Sequence, residues 1–221
     1  MRSTRSILTN NIYVPGLPGT IPPPDERLAP HAFREGRRYT DAEVAGLPYI
    51  DREHPEFPAW ALRQASCRRL VRYLREEKVA ASILEVGCGN GWLSHQLSSV
   101  PASRVVGLDL NFIELQQAAR VFRRPNLKFI YGDFYSDILE GLSFDIIVFA
   151  AMIQHYAPLD RMVREALPYL RPRGEIHILD SRLYEPDLAA FQHRYFFQPR
   201  SLWNRMTGKK RQLPWVCITN L

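Results

Sequence analysis

Short apolar runs alternate along this chain with segments of helical period. The runs are rich in Ile, Val and Leu, which is typical of strands buried on both faces of a parallel sheet. Because such strands are joined by right-handed helical crossovers, the pattern predicts an α/β fold with a doubly wound, mostly parallel sheet and helices on both faces. The predicted strands are 83–86, 105–108, 128–131, 145–149 and 175–179. The predicted helices are 92–99, 112–122 with Asn111 as N-cap, and 159–170.

The N-terminal part of the chain has a different pattern. Nine of the 17 prolines lie in the first 58 residues. Proline fixes φ and lacks a backbone N–H, so we expect neither long helices nor central strands there, and we interpret 1–57 as an arm or lid. From residue 58 onward, apolar positions at three- and four-residue spacing predict an amphipathic helix that opens a domain over 58–221. Residues 214–219 predict a final strand.

Composition narrows the class of protein. A chain of 221 residues with 46% hydrophobic residues can bury a core without a metal or a disulfide. Its three cysteines, Cys67, Cys88 and Cys217, form no CxxC pair, which argues against a disulfide framework and a structural zinc site. We therefore expect a cytoplasmic protein. No apolar run reaches the roughly 18 residues of a membrane span, so we expect no membrane association.

The net charge of +6 favours anionic partners. Arginines cluster around 63–75 and 194–211, but without aromatic residues at a regular spacing between them. A solvated basic surface explains these clusters better than a nucleic-acid interface, which stays open as the less favoured alternative. We expect a monomer or a homodimer.

A glycine-rich turn follows the first predicted strand, in the sequence Gly87-Cys88-Gly89-Asn90-Gly91. Glycines at such a turn permit positive φ and let a ligand approach the backbone. A dinucleotide-binding turn needs a glycine at the sixth place, where this chain has Trp92. Glu85 lies two residues before the first glycine, and its carboxylate would disfavour a pyrophosphate but favour an ammonium or sulfonium group.

A second acid, Asp109, ends the second predicted strand. A carboxylate there can accept hydrogen bonds from both ribose hydroxyls, as NAD and S-adenosyl ligands both require. Asp109 alone therefore does not distinguish the two ligands.

Taken together, these motifs resemble the class I S-adenosylmethionine-dependent methyltransferases. The segment 85–91 is similar to the first motif of that family, and Asp109 stands where its ribose-binding acid does. Gly132-Asp133-Phe134 matches the place where the family puts an acid against the adenine amino group. The resemblance extends over about 83–180, with one departure, Arg173, where glycine is usual; we expect it to alter only a surface turn.

The resemblance implies a seven-stranded sheet, S-adenosylmethionine as cofactor and S-adenosylhomocysteine as product. It also implies a set of cofactor-binding residues at the ends of the strands. These are Glu85, Gly87, Cys88, Gly89, Asn90, Gly91, Asp109, Leu110, Gly132, Asp133, Phe134 and Ala150.

The acceptor is constrained mainly by missing family motifs. The sequence lacks those for base-amino, cytosine-C5 and arginine methylation, and it has no acid after the fourth strand for Mg²⁺. We expect metal-free transfer to the O, N or C atom of a small molecule, which the arginines would hold if it is anionic. His155 follows the fourth strand and is the candidate general base, with Tyr156 as an orienting neighbour. The alternatives are an RNA or tRNA methyltransferase, a non-catalytic S-adenosyl-binding scaffold and, weakest, a nicotinamide enzyme.

Overall fold

The computed structural model describes residues 6–9, 12–15, 39–78, 80–151, 158–181, 193–196 and 215–219. The chain divides into two compact units, Met1–Leu142 and Ser143–Leu221.

The first unit contains five strands in the spatial order β1-β2-β5-β4-β3. The last three are parallel, and their register aligns Val86 with Leu108 and Leu108 with Ile130. Their carboxyl ends therefore meet at one edge. The strands are β1 (Ser6–Thr9), β2 (Ile12–Pro15), β3 (Ser82–Val86), β4 (Arg104–Asp109) and β5 (Leu127–Tyr131).

Capping residues define where two helices of this unit begin. The first opens with a capping box between Thr40 and Glu43, and the fourth opens on Asn111, whose side chain accepts a hydrogen bond from Glu114 N. The helices are α1 (Asp41–Gly46), α2 (Phe57–Glu77), α3 (Trp92–Leu97) and α4 (Phe112–Val121), with a 3₁₀ turn at Asp137–Leu139. Among the helices of the described residues, none has the length and hydropathy needed to cross a membrane.

The core of the first unit lies between these strands and helices. Leu84, Leu108 and Phe129 on the strands and Leu115 on α4 are at most 2% exposed. Burying a side chain of this size contributes about 1.5–3 kcal/mol, so the layer of parallel strands is the stable part that carries the loops at its edge.

The second unit contains four strands in the order β6-β7-β9-β8. β6 and β7 are parallel, whereas β9 pairs antiparallel with both β7 and β8. The elements are β6 (Phe144–Ala150), α5 (Leu159–Ala166), a 3₁₀ turn at Leu167–Tyr169, β7 (Leu170–Leu179), β8 (His193–Phe196) and β9 (Trp215–Thr219). Apart from β1 and β2, the described strands of the two units number seven, as the resemblance implied.

All five predicted strands and the predicted helices are present, with ends shifted by a few residues. β7 begins at Leu170, five residues before its predicted start, and the helix predicted over 159–170 is α-helical only to Ala166 and ends in a 3₁₀ turn. Pro168 lies in that 3₁₀ turn. The predicted final strand is β9.

The expectation that the proline-rich arm holds no central strand was wrong. β2 lies between β1 and β5 and pairs in parallel with β5, Ile12 opposite Phe129. Ile12 is fully buried. Pro15 is the last residue of β2, so its missing N–H falls at the strand end, where a sheet tolerates proline.

Candidate cofactor-binding site

Three loops of the first unit meet at the carboxyl ends of β3, β4 and β5. Backbone hydrogen bonds join them: Gly87 N donates to Leu108 O at 2.8 Å, and Gly132 N donates to Asp109 O at 3.0 Å. All the predicted cofactor residues except Ala150 lie in these loops or at the ends of β3 and β4, in the same unit. This edge of the sheet therefore brings together residues that are distant in sequence.

The glycine turn depends on left-handed backbone at two positions in particular. Gly91 has φ +76°, and a Cβ there would lie 2.7 Å from Ala118 Cβ and 2.8 Å from Phe129 Cζ. Gly91 therefore lets α3 pack closely on its neighbours. Gly89 has φ +51°, and a Cβ there would lie 2.8 Å from Glu114 Oε2. Gly89 therefore brings the backbone of the turn against a carboxylate.

The Asp109 carboxylate joins the glycine turn to the start of α4. Its Oδ2 accepts a hydrogen bond from Gly89 N at 2.7 Å, and its Oδ1 accepts one from Asn111 N at 2.7 Å. An ionised carboxylate has about four acceptor positions, so these two bonds orient the group without exhausting its capacity. The fixed, half-buried carboxylate suits a ligand that presents a pair of hydroxyl groups.

Glu85 is 3% exposed and its Oε2 accepts a 2.5 Å hydrogen bond from Ser94 Oγ. Burial raises the pKa of Glu85 to about 8, and the negative charge of Asp109 adds to the rise. At neutral pH the carboxyl is therefore mostly protonated. A cation brought to the turn would favour its ionised form.

Cys88 is a packed thiol. It is 3% exposed, and a Cβ on the neighbouring Gly107 would lie 2.8 Å from its Sγ. Burial raises the pKa of the Cys88 thiol well above its usual range, and the charges of Asp109, Glu85 and Glu114 raise it further. This geometry agrees with the interpretation of Cys88 as turn packing rather than as a nucleophile.

The loop after β5 contains Asp133, whose Oδ1 accepts a hydrogen bond from Tyr135 N at 3.0 Å. Phe134 beside it is 1% exposed and belongs to the core. The contact of Asp133 with an adenine amino group stays a prediction. Across the strand ends, Phe112 and Tyr131 pack edge to face with ring centroids 5.3 Å apart.

Sequence reasoning missed Glu114 and Phe112 as residues of this edge. The signal that could have found Glu114 is its place as the third residue of a helix that begins three residues after Asp109. A side chain there leans back toward the helix N-terminus and hence toward the glycine turn.

In the second unit, the carboxyl ends of β6 and β7 lie side by side, with Ala150 opposite Leu179. Ala151 has φ +57° and Asp180 has φ +52°, and Ala151 N donates to Leu179 O at 2.9 Å. Left-handed backbone costs a non-glycine residue about 1–2 kcal/mol, and such strain is common at functional sites. His155 and Tyr156 lie outside the described residues, so their roles stay predictions.

His177 belongs to a buried hydrogen-bond network in the second unit. Trp215 Nε1 donates to His177 Nδ1 at 2.9 Å, and His177 Nε2 lies 3.1 Å from Glu175 Oε2. Because an indole N–H only donates, Nδ1 must accept and Nε2 must carry the proton toward Glu175. Cys217 has its sulfur within 4.8 Å of the Glu175 and His177 ligand atoms, but this tautomer leaves neither imidazole nitrogen for a metal. The geometry agrees with the interpretation of His177 as a satisfied core residue.

The known proteins with similar sequences are methyltransferases. Residues 83–174 match the family model described as "Methyltransferase domain". A ubiquinone biosynthesis O-methyltransferase of Methylobacterium sp. (strain 4-46) is 31% identical over 136 residues, which are 60% of this chain and 54% of that protein. A sterol 24-C-methyltransferase of Aspergillus fumigatus is 29% identical over 101 residues, 44% of this chain and 27% of that protein. The chain thus spans about half or less of the length of these relatives.

Solved structures show the same fold. The magnesium protoporphyrin IX methyltransferase of Synechocystis PCC 6803, crystallised with bound S-adenosylmethionine, superposes with a TM-score of 0.60 at 16% identity, covering 82% of this chain and 92% of that one. A methyltransferase from Aquifex aeolicus gives 0.56 at 14% identity, covering 83% and 100%. The fold is the Rossmann-like, mostly parallel methyltransferase sheet that the sequence predicted. Residues 83–174 match a methyltransferase domain, and the fold that contains them is that of the class I S-adenosylmethionine-dependent methyltransferases.

Proposed function

We propose that this protein binds S-adenosylmethionine and transfers its methyl group to a small-molecule acceptor, releasing S-adenosylhomocysteine. The observation that carries the proposal is the Asp109 carboxylate, held between Gly89 N and Asn111 N at 2.7 Å from each. A ribose diol is the ligand group that such a fixed pair of acceptor oxygens fits.

The charges around the glycine turn support a sulfonium ligand over a dinucleotide. Glu85, Asp109 and Glu114 all act on the Cys88 thiol, so three carboxyl groups lie near the turn. A pyrophosphate there would meet the negative charges of Asp109 and Glu114, whereas a sulfonium or ammonium group would be attracted by them. α3, which follows the turn, has only six residues, so its helix dipole would offset little of that repulsion.

When bound, S-adenosylmethionine supplies an activated methyl group. In this proposal Asp109 holds the ribose hydroxyls and the glycine turn contacts the cofactor through its backbone. Glu85, protonated before the cofactor binds, would ionise in response to the sulfonium charge. His155 would accept the proton of an O–H or protonated N acceptor. Support for an acceptor site at the ends of β6 and β7 is the strained backbone at Ala151 and Asp180, since ligands of such sheets bind at the carboxyl ends of strands.

We further propose that the N-terminal arm, 1–57, covers the cofactor. The contact of Tyr39, in the described part of the arm, with Trp60 supports this. Trp60, at the start of α2, packs edge to face on Trp92, with ring centroids 5.3 Å apart, and Trp92 directly follows the glycine turn. Trp60 Nε1 also donates to Tyr39 Oη at 2.9 Å. Covering the cofactor would exclude water from the reaction.

A small-molecule acceptor is supported by three similar proteins, whose names refer to a sterol, to ubiquinone biosynthesis and to magnesium protoporphyrin IX, although another relative is named for methylation of ribosomal protein L11. The acceptor atom is not specified by these names as a group, because they include both C- and O-methyltransferases. The cytoplasmic location predicted from the cysteines remains part of the proposal.

The test is release of S-adenosylhomocysteine from S-adenosylmethionine in the presence of separate acceptor panels. We expect turnover with a quinol, sterol or porphyrin-type panel, loss of that turnover in Asp109→Asn, and none with tRNA. In His155→Ala, turnover should fall sharply while cofactor affinity is kept. Turnover with tRNA alone would show that the acceptor is RNA and would contradict the proposal of a small-molecule acceptor. Tight cofactor binding with no turnover on any panel would indicate a scaffold and contradict the proposal.

A further inference from the structure

Glu114 occupies a position that a helix normally uses for its own capping. It is the third residue of α4, and the N-cap Asn111 accepts a hydrogen bond from Glu114 N at 3.2 Å. In a complete capping box the glutamate side chain also accepts a hydrogen bond from the backbone N–H of the N-cap residue. α1 shows that arrangement, because Glu43 Oε2 accepts from Thr40 N at 2.7 Å.

In α4 the second hydrogen bond of the capping box is made by a different residue. The Asn111 N–H donates to Asp109 Oδ1 at 2.7 Å, so the ribose-binding acid has taken the bond that a capping glutamate would make. The Glu114 carboxylate instead lies against the glycine turn, with its Oε2 2.8 Å from the position of a Cβ on Gly89. Gly89 is therefore approached by two carboxylates, since its N–H also donates to Asp109.

The position of this second carboxylate has an electrostatic consequence. Glu114 is half-buried, so its charge is less screened than that of a surface glutamate. S-adenosylmethionine carries a sulfonium charge that is absent from the thioether of S-adenosylhomocysteine. With the sulfur bound at the glycine turn, a carboxylate this close to Gly89 would, at an intermediate dielectric, change the relative affinity of the two ligands by about five- to tenfold.

We propose that Glu114 is a specificity-determining residue, which selects the sulfonium cofactor over its thioether product. This inference rests on the proposed function, because it assumes that the glycine turn and Asp109 hold an S-adenosyl ligand. It assigns a different role to each acid: Asp109 binds the ribose common to both ligands, whereas Glu114 distinguishes them by charge.

The test is isothermal titration of the wild type and Glu114→Gln with S-adenosylmethionine, S-adenosylhomocysteine and sinefungin, the analogue with an amine in place of the sulfonium. In Glu114→Gln, affinity for S-adenosylmethionine and sinefungin should fall about five- to tenfold, with affinity for S-adenosylhomocysteine nearly unchanged. The matched control is Glu76→Gln, at an exposed glutamate near the end of α2, which should leave the affinity for all three ligands unchanged.

Equal loss for all three ligands, or no loss for any, would overturn the inference. If Glu114→Gln does not fold, Glu114→Asp is measured instead. Its shorter side chain withdraws the charge from Gly89, so affinity for S-adenosylmethionine should fall by about twofold or more relative to affinity for S-adenosylhomocysteine, and an unchanged ratio of the two affinities would contradict the role. Failure of the wild type to bind any S-adenosyl ligand would instead refute the proposed function itself.

Discussion

Ser94 Oγ donates a 2.5 Å hydrogen bond to the carboxyl of Glu85, and both side chains are buried beneath the glycine turn. The bond favours the ionised carboxylate, but burial outweighs it and the pKa of Glu85 rises to about 8. An acid of the first methyltransferase motif therefore carries a proton at neutral pH until a ligand changes its surroundings.

This proton makes stability depend on pH in a defined direction. The folded protein keeps the proton up to about pH 8, whereas the unfolded chain releases it near pH 4.5. Between these values the folded state binds more protons, so the free energy of unfolding falls as pH rises. In Glu85→Gln this contribution is absent. Urea unfolding at pH 5, 6.5 and 8 should show the variant gaining stability relative to the wild type as pH increases, and parallel profiles would contradict the assignment.

Asp109→Asn should weaken binding of both S-adenosyl ligands. One acceptor oxygen becomes an amide NH₂ that faces either the Gly89 N–H or the Asn111 N–H, and a charged partner for the ribose is lost. A hydrogen bond to a charged group contributes about 1.5–3 kcal/mol, which corresponds to a loss of at least tenfold in affinity by titration calorimetry.

The control for that change is Asp145→Asn, which removes a carboxylate paired with Arg171 near the amino end of β6, in the other unit. It should leave the affinity unaltered. An Asp109→Asn protein that binds both ligands as tightly as the wild type would show that Asp109 only shapes the turn.

Trp215→Phe should destabilise the second unit. The change keeps an aromatic ring but leaves His177 Nδ1, fully buried, without the indole N–H that it accepts. An unsatisfied buried acceptor costs about 1–3 kcal/mol, measurable by urea unfolding. Tyr49→Phe, on a side chain that is 58% exposed, should stay within about 0.5 kcal/mol of the wild type. A Trp215→Phe protein equally close to the wild type would show that the network adds nothing.

Substitutions at the adjacent positions Arg173 and Gly174 should change the free energy of unfolding in opposite directions. Arg173 is exposed with φ +61°, so Arg173→Gly should raise the free energy of unfolding by about 0.5–1 kcal/mol. A Cβ on Gly174 would lie 2.6 Å from Leu170 Cγ and 2.8 Å from Arg171 O, so Gly174→Ala should lower it. Thermal unfolding of the two variants measures both effects. A stabilised Gly174→Ala protein, or a destabilised Arg173→Gly protein, would contradict this account of the turn.

The sheet and its edge were predictable because they depend on local signals. Continuous apolar runs such as 83–86 and 145–149 identify strands buried on both faces, and the spacing from Gly87 to Asp109 follows from one strand–helix–strand unit. Strand β2 was not predictable in this way. Its partner, β5, lies more than a hundred residues away, and the surrounding prolines dominate the local pattern. Glu114 was missed for a similar reason. Its sequence position is that of a capping glutamate, and only the structure shows that Asp109 accepts the hydrogen bond from Asn111 N that a capping glutamate would accept.

Thermal unfolding with S-adenosylhomocysteine and, separately, with NAD tests the central claim most directly. A ligand at 100 times its dissociation constant adds about 2.7 kcal/mol of stability, which for a chain of this size is a shift of roughly 5–10 °C. We expect that shift with S-adenosylhomocysteine and none with NAD. A shift with NAD alone, or with neither ligand, would contradict the assignment of the glycine turn and Asp109 to an S-adenosyl cofactor.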